Sequence, residues 1–336
     1  MATIIRPASP SLKAPQISTV LPFSGLLLVM LAAALWATVG VAVSMMHNRG
    51  LGADTLGFMR TLIGATVLLA AAFATGAVPR GLRVPVRPLV VFGIGAAIFQ
   101  LCLFRAFREV GVTVTVTVTV CLPPVILALT DAVSARRLPC VMVVMALLAA
   151  AGGVAAILLP GSAARISPPV KAEGWALMLT ASFAFAAVAA SARRLSGVVP
   201  PLFGTGLGLA ICAVLLAAHA LIQGDLALPQ LAMLGRRDLA ILLYLGLFAT
   251  GGAYLAFAVG IRLCRSSTSG LVASMIEPVI AAVLAAALLG EFLRPMEMIG
   301  CLAVTAAMVL IWRAETRPLR RPVGKDPGRS GLFAEV

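Results

Sequence analysis

Apolar runs close to the ~20 residues that a helix needs to cross a bilayer recur along the chain, separated by short clusters of Arg, Pro, Gly and Asp. They predict ten helices, over 24–46, 55–75, 88–107, 112–132, 140–159, 174–192, 199–222, 237–259, 267–289 and 296–312. One segment carries a competing signal. Residues 111–126, GVTVTVTVTVCLPPVI, alternate Thr and Val from Thr113 to Val120, and period-two alternation of β-branched residues ordinarily marks a strand. A closed barrel, the only sheet that crosses lipid, would show many alternating segments of about ten residues. Only one is present, so the stretch is expected to begin the fourth helix, its hydroxyls bonding back to carbonyls one turn earlier. At about 100° per residue, Thr113 and Thr117 share one face and Thr115 and Thr119 the other, which suits a helix packed between neighbours.

Composition turns this pattern into a membrane assignment. The chain is 61% hydrophobic and only 11% charged, against about a quarter charged in soluble domains. The first apolar run follows a leader holding Arg6 and Lys13, and Leu31 to Ala34 resembles a signal-peptide cleavage site. That run is longer than a signal h-region and further spans follow it, so it is expected to remain as the first crossing.

Lys and Arg in the loops set the orientation, because short cytoplasmic connections collect positive charge. With the N-terminus inside, the two termini and the loops at 80–87, 136–137, 193–194 and 262–265 carry seventeen basic residues, the opposite loops eight, and Arg60 lies within a span. Both termini are therefore expected in the cytoplasm of a bacterium, with the chain in the inner membrane. The net charge of +14 is spread over helix ends rather than gathered on one aromatic-bearing face, so nucleic acid is not an expected partner. The basic tail is expected to lie unstructured against anionic headgroups.

The search for chemistry returns informative absences. No G-x-x-x-x-G-K-[ST] surrounds Lys13, Lys171 or Lys325. His47 and His219 cannot form a metal cluster, so no metal or cofactor is expected. Cys102, Cys121, Cys140, Cys212, Cys264 and Cys301 lack C-x-x-C spacing and read as small packing residues. Gly204, Gly206 and Gly208 lack the last glycine of a dinucleotide fingerprint and are expected to permit close helix packing.

The two halves repeat. At one constant shift Arg108 meets Arg262, Thr113 meets Ser267, Thr115 meets Ser269, and Pro124-Val125-Ile126 meets Pro278-Val279-Ile280. At a slightly different shift Gly25 meets Gly174 and Trp36 meets Phe185. Five crossings per half force the second copy to enter the membrane upside down, the inverted-repeat arrangement of many secondary transporters.

The stretches ALWATVGV at 34–41, FMR at 58–60, MIEPVIAAVLAAALLGE at 275–291 and MIGCLAVTAAMVLI at 298–311 resemble the five-helix modules of EamA-type transporters of the drug/metabolite transporter superfamily. The resemblance covers about residues 24–312 and implies an all-α integral membrane protein of ten transmembrane helices in two inverted repeats, with a central cavity lined from both halves and metabolites or amino acids as cargo, often exported. The domains on this reading are a cytoplasmic leader (1–23), a first repeat (24–159), an external linker (160–173), a second repeat (174–312) and a basic cytoplasmic tail (313–336). One departure is that Arg136-Arg137 stand where the second half has Gly290-Glu291, and Asp131 where it has Ala285.

Polar residues within spans are the site candidates. Glu277, near the middle of the ninth predicted helix, costs about 2.5–3.5 kcal/mol at the bilayer centre. It reads either as a proton carrier or as a protonated structural group bonded to a neighbouring hydroxyl, with Ser267, Ser269 and Ser274 on the same helix offering donors. Arg60 reads either as a substrate-carboxylate binder or as a residue that snorkels or pairs with Asp54. Gln100 and Tyr254 occupy equivalent places and read as cavity or interhelical hydrogen-bonders. Trp36 reads either as a packing residue or as cavity wall, Thr117 joins the candidate cavity wall, and Pro124 and Pro278 are expected to kink their helices and free carbonyls. The expected function is secondary active export of small metabolites or amino acids, with proton coupling through Glu277, by a monomer or homodimer. The alternatives are a non-transporting membrane assembly or receptor subunit and a membrane-embedded enzyme; no clustered nucleophile, base or metal set supports the last.

Overall fold

The structure, a computed structural model, describes residues 24–46, 52–79, 84–109, 112–136, 141–158, 171–226, 234–264, 266–289 and 295–316. The leader, most of the linker at 160–173 and most of the basic tail lie outside the described residues. Every described element is helical: α1 (Ser24–Ser44), α2 (Ala53–Ala74), α3 (Val86–Glu109), α4 (Val112–Ala135), α5 (Val141–Leu158), α6 (Ala172–Val198), α7 (Pro201–Gln223), α8 (Arg236–Gly246), a π-helical turn (Leu247–Gly252), α9 (Ala253–Leu263), α10 (Ser267–Ser274), α11 (Glu277–Leu289) and α12 (Pro295–Thr316). Among the described residues six stretches are long and apolar enough to cross a membrane, namely Ser24–Val43, Asp54–Ala74, Val86–Ala106, Ala172–Val198, Pro201–Gln223 and Arg236–Leu263. Val118–Ser134 and Val141–Gly153 form shorter apolar helices.

The alternating Thr/Val stretch is helical, and the Thr119 hydroxyl behaves as the lipid setting demands. Thr119 Oγ1 donates to the Thr115 carbonyl one turn earlier at 2.8 Å, and both threonines are buried. The same face meets α6, where Ser182 Oγ donates to the Val118 carbonyl at 3.4 Å. Pro123 and Pro124 are buried inside α4, which runs through them without interruption.

The ninth predicted helix, by contrast, is two helices. Ser266 caps α10 by accepting the Ser269 N–H at 3.0 Å, and the helix ends at Ser274. The chain then tightens, with Met275 N–H donating to the Val272 carbonyl at 3.1 Å and Ile276 N–H to the Ala273 carbonyl at 3.5 Å. Pro278 has no N–H for the Ser274 carbonyl and is suited to the first turn of a new helix. Glu277 is thus the first residue of α11 rather than a mid-helix residue, and it sits at the positive end of that helix.

The eighth span is also irregular. Its π-helical turn is fixed by glycine contacts with α2: a Cβ on Gly246 would lie 2.5 Å from Ile63 Cβ, and one on Gly64 would lie 2.9 Å from the Gly251 nitrogen. Thr250 Oγ1 donates five residues back to the Leu245 carbonyl at 2.8 Å, the spacing of the widened turn. The expectation for Gly206 and Gly208 also holds, since a Cβ on Gly206 would meet Leu68 and Leu69 at 3.1 Å and one on Gly208 would meet Phe92 Cδ1 at 2.4 Å.

Packing joins the two parts of the chain throughout. Helix α1 lies against α9, α10 and α11; α2 against α7, α8 and the π turn; α3 against α6 and α7; α4 against α6 and α10; and α5 against α12. The main core gathers Val29, Phe92, Phe185, Leu209, Phe257 and Leu271 between them, while Val133, Ile222 and Leu302 stand largely exposed, as faces turned to lipid do.

Candidate functional site

The buried polar groups converge on one cluster. Arg60, 9% exposed on α2, donates from Nη2 to Gln100 Oε1 on α3 at 2.7 Å. Gln100 Nε2 lies 3.4 Å from both Thr61 Oγ1 and Cys212 Sγ on α7, and Thr61 is itself tied back to the Gly57 carbonyl at 2.7 Å. The Gln100 amide thus has its nitrogen occupied on one side and its oxygen turned toward the guanidinium. The Arg60 guanidinium carbon lies 5.5 Å from the centre of the Phe104 ring, and its buried Nε has no hydrogen-bond partner among the described residues.

Tyr254, on the first turn of α9, is buried and within electrostatic reach of Arg60, Cys212 and Glu277. Its ring also begins an aromatic wall. Trp36 lies 5.4 Å from Tyr254, 5.4 Å from Phe257 and 5.8 Å from Phe185 between ring centres. Phe92 stands 6.0 Å from Tyr254, and Phe99 4.9 Å from Phe185. Edge-on and tilted contacts of this kind are the geometries that aromatic pairs prefer.

A cavity of about 420 Å³, within the size range of small-molecule sites, opens at one end of the bundle between Asp54, Leu101, Cys102, Arg105, Glu109, Leu177, His219, Gln223 and Asp225. Its walls are joined by Asp54 Oδ2 and His219 Nδ1 at 3.5 Å, by the Thr55 hydroxyl on the Asp225 carbonyl, and by an exposed Arg105–Glu173 pair at 3.2 Å. The opposite end is stitched differently. Arg193 of α6 donates to the Ile261 and Cys264 carbonyls at 2.6 and 2.5 Å, occupying the end of α9, and Thr268 of α10 reaches Asp131 of α4 at 3.4 Å.

Several sequence expectations change on this geometry. Asp54 faces His219, so the Asp54 pairing considered for Arg60 does not form. Ser269 is engaged with Ser266 at 3.0 Å, and Ser274 donates to the Leu271 carbonyl at 2.7 Å, so these serines serve the backbone of α10 rather than a pocket around Glu277. Glu277 is partly buried, with no hydrogen-bond or ion-pair partner among the described residues, and Pro278 behind it is buried. Thr117 lies on α4, but its side chain is outside the described residues. Cys212, read as packing, joins the polar cluster; Cys264 is buried and Cys102 partly exposed, and none of the three is in a disulfide. Thr61, Phe92, Phe99, Phe185 and Phe257 were not anticipated, because a hydroxyl or aromatic at helical spacing in an apolar run carries the same signal as core packing.

Long apolar helices around a buried cationic and aromatic cluster, with a cavity at one end, define a multi-pass membrane protein. Comparison with known proteins makes this specific: the model of the EamA-like transporter family matches the chain twice, over residues 23–159 and 172–313. The chain belongs to that family, and so to the drug/metabolite transporter superfamily. It is 27% identical over 288 residues to a Bacillus subtilis (strain 168) protein named "Uncharacterized transporter YwfM", covering 85% of this chain and 92% of that one. A solved crystal structure superposes with a TM-score of 0.72 at 20% identity, over 88% of this chain and 99% of its own, a likeness of fold alone.

Proposed function

We propose that this protein is a secondary active exporter of small metabolites or amino acids, working by alternating access between two inverted five-helix halves in a bacterial inner membrane, with both termini cytoplasmic. The observation that carries the reading is the shared site: Trp36, Arg60 and Gln100 come from the first half, Phe185, Cys212, Tyr254 and Phe257 from the second, so relative movement of the halves opens or closes it. Reciprocal packing supports the inverted arrangement. Helix α1 meets α9 as α6 meets α3, α4 meets α6 as α10 and α11 meet α1, and the α2–α7, α4–α10 and α5–α12 contacts pair equivalents with each other. On the loop-charge orientation the 420 Å³ cavity faces outward and the Arg193 and Asp131 ties close the inner end.

Coupling to an ion gradient follows from the absence of a phosphate-binding loop and from Glu277, placed where α11 restarts and assigned here as the proton carrier. The decisive experiment compares untargeted metabolite profiles of cells lacking and overproducing the protein, then tests each retained or depleted compound in vesicles with an imposed pH gradient and no nucleotide. Gradient-driven accumulation is expected. An absolute ATP requirement by purified protein, or no movement of any such compound, would overturn the reading in favour of a non-transporting membrane assembly.

A further inference from the structure

We propose that Arg60 is the recognition group for a carboxylate, so that the solutes of this site are small organic acids with an apolar body; the inference rests on the transport reading of the shared cluster. Arg60 is more than nine-tenths buried within a span, yet no carboxylate lies within ion-pairing distance of it among the described residues. Asp54, the acid nearest in sequence, is turned to His219 on the other side. What Arg60 does have holds it without neutralising it: one bond to the neutral Gln100 oxygen at 2.7 Å and a ring face 5.5 Å away, while Nε donates to nothing among the described residues. A buried cation without a counter-charge is costly, and in a membrane it is kept where an anion arrives or a charge moves.

The geometry also narrows the anion. Gln100 is locked by Thr61 and Cys212 with its oxygen toward the guanidinium, a positioning arrangement that leaves donors on Arg60 for a second acceptor. A single guanidinium fork matches the charge and shape of a carboxylate, whereas a phosphate dianion calls for further cations. Tyr254 is within electrostatic reach of Arg60 and continues into the rings of Trp36 and Phe92, a wall for the apolar remainder of the solute.

The test uses the full chain purified in detergent, read by thermal shift and tryptophan fluorescence, with acetate, hexanoate and 3-phenylpropionate, each beside its uncharged amide. The acids with apolar bodies are expected to bind saturably, and their amides about 10- to 100-fold more weakly, the loss expected of a charge-assisted pair. Arg60→Gln should lose acid binding and Arg60→Lys retain a weakened form. Gln100→Glu gives Arg60 an internal carboxylate, so that variant should fold at least as stably as the parent and yet lose the acids. Should Arg60→Gln fail to fold, Gln100→Glu decides alone. Acids that bind no better than amides, or not at all, or that bind Gln100→Glu as they bind the parent, overturn the proposal. Acid binding without vesicle transport would instead sink the transport reading and leave the anion site, and gradient-driven movement of neutral solutes unaffected by Arg60→Gln would do the reverse.

Discussion

Replacing Gly208 with Ala tests whether α3 and α7 meet as closely as described, because the added methyl would sit 2.4 Å from Phe92 Cδ1, 2.9 Å from Cε1 and 3.2 Å from Cγ. All three nearest atoms belong to one fully buried ring, and that ring also packs edge-on against Tyr254 at 6.0 Å. Two effects oppose each other. Ala is favoured over Gly in a helix by about 1 kcal/mol, while forcing a methyl into a closed core costs about 1–3 kcal/mol. In the parent the second term wins, so Gly208→Ala should lower stability by up to about 2 kcal/mol. In a Phe92→Ala background, itself destabilised by about 3–5 kcal/mol, the obstructing atoms are gone and only propensity remains. There the same substitution should stabilise by about 0.5–1 kcal/mol, giving a coupling of about 1–3 kcal/mol. Reversible unfolding of the four proteins in mixed detergent micelles measures this cycle. Additive effects, or a stabilising Gly208→Ala in the parent, would refute the close α3–α7 approach.

Glu277→Gln should insert normally and bind solute yet lose gradient-driven accumulation in vesicles; retained accumulation with unchanged pH dependence would make Glu277 a structural hydrogen-bonding residue. Arg193→Gln removes bonds to the Ile261 and Cys264 carbonyls, each worth about 1.5–3 kcal/mol from a charged donor, and should lower the Tm and loosen protection of amides at the end of α9. In a variant keeping Cys102 as its one cysteine, a membrane-impermeant maleimide added to intact cells should label the thiol through the cavity, and labelling only after lysis would reverse the orientation. Reporter fusions after Val336 and within 80–87 should be cytoplasmic, and those within 160–173 and 223–236 external.

The helices were legible because run length and composition respond to the bilayer before anything else: the same Thr113–Val120 stretch that reads as a strand in isolation reads as a helix once a single alternating segment is set against a 61% hydrophobic chain. The behaviour of the prolines was not. Pro123 and Pro124 pass through α4, whereas Pro278 begins a new helix, and the local sequences PPVI and PVI do not distinguish these outcomes. The difference arises outside the proline, from the Ser266 cap that starts α10 and the tightened turn at Met275 and Ile276. The site was half legible. Arg60, Gln100, Tyr254 and Trp36 stood out as polar or amphipathic groups in apolar runs and do come together. Cys212 is 112 residues from its partner Gln100, and nothing in an apolar run marks one cysteine as a hydrogen-bond acceptor.

The two irregular helices also lie where the site needs them. Tyr254 is the second residue after the π turn, and Glu277 the first after the break at Met275 and Ile276. Both irregularities sit in the second half of the chain and pack on helices of the first, the π turn on α1 and α2, and α10 and α11 on α1. A regular helix commits every carbonyl to its own ladder and resists bending, whereas a widened turn or a restart concentrates a change of direction in a few residues. The Gly64–Gly251 approach pins the π turn to α2 one turn beyond Arg60, so displacement of α2 against α8 and α9 would alter the spacing of Arg60 and Tyr254 first. On the proposed role of Arg60, a carboxylate held there would resist or favour that displacement according to whether it bridged the two helices, which is how binding at the cluster would be felt by the packing of the whole bundle.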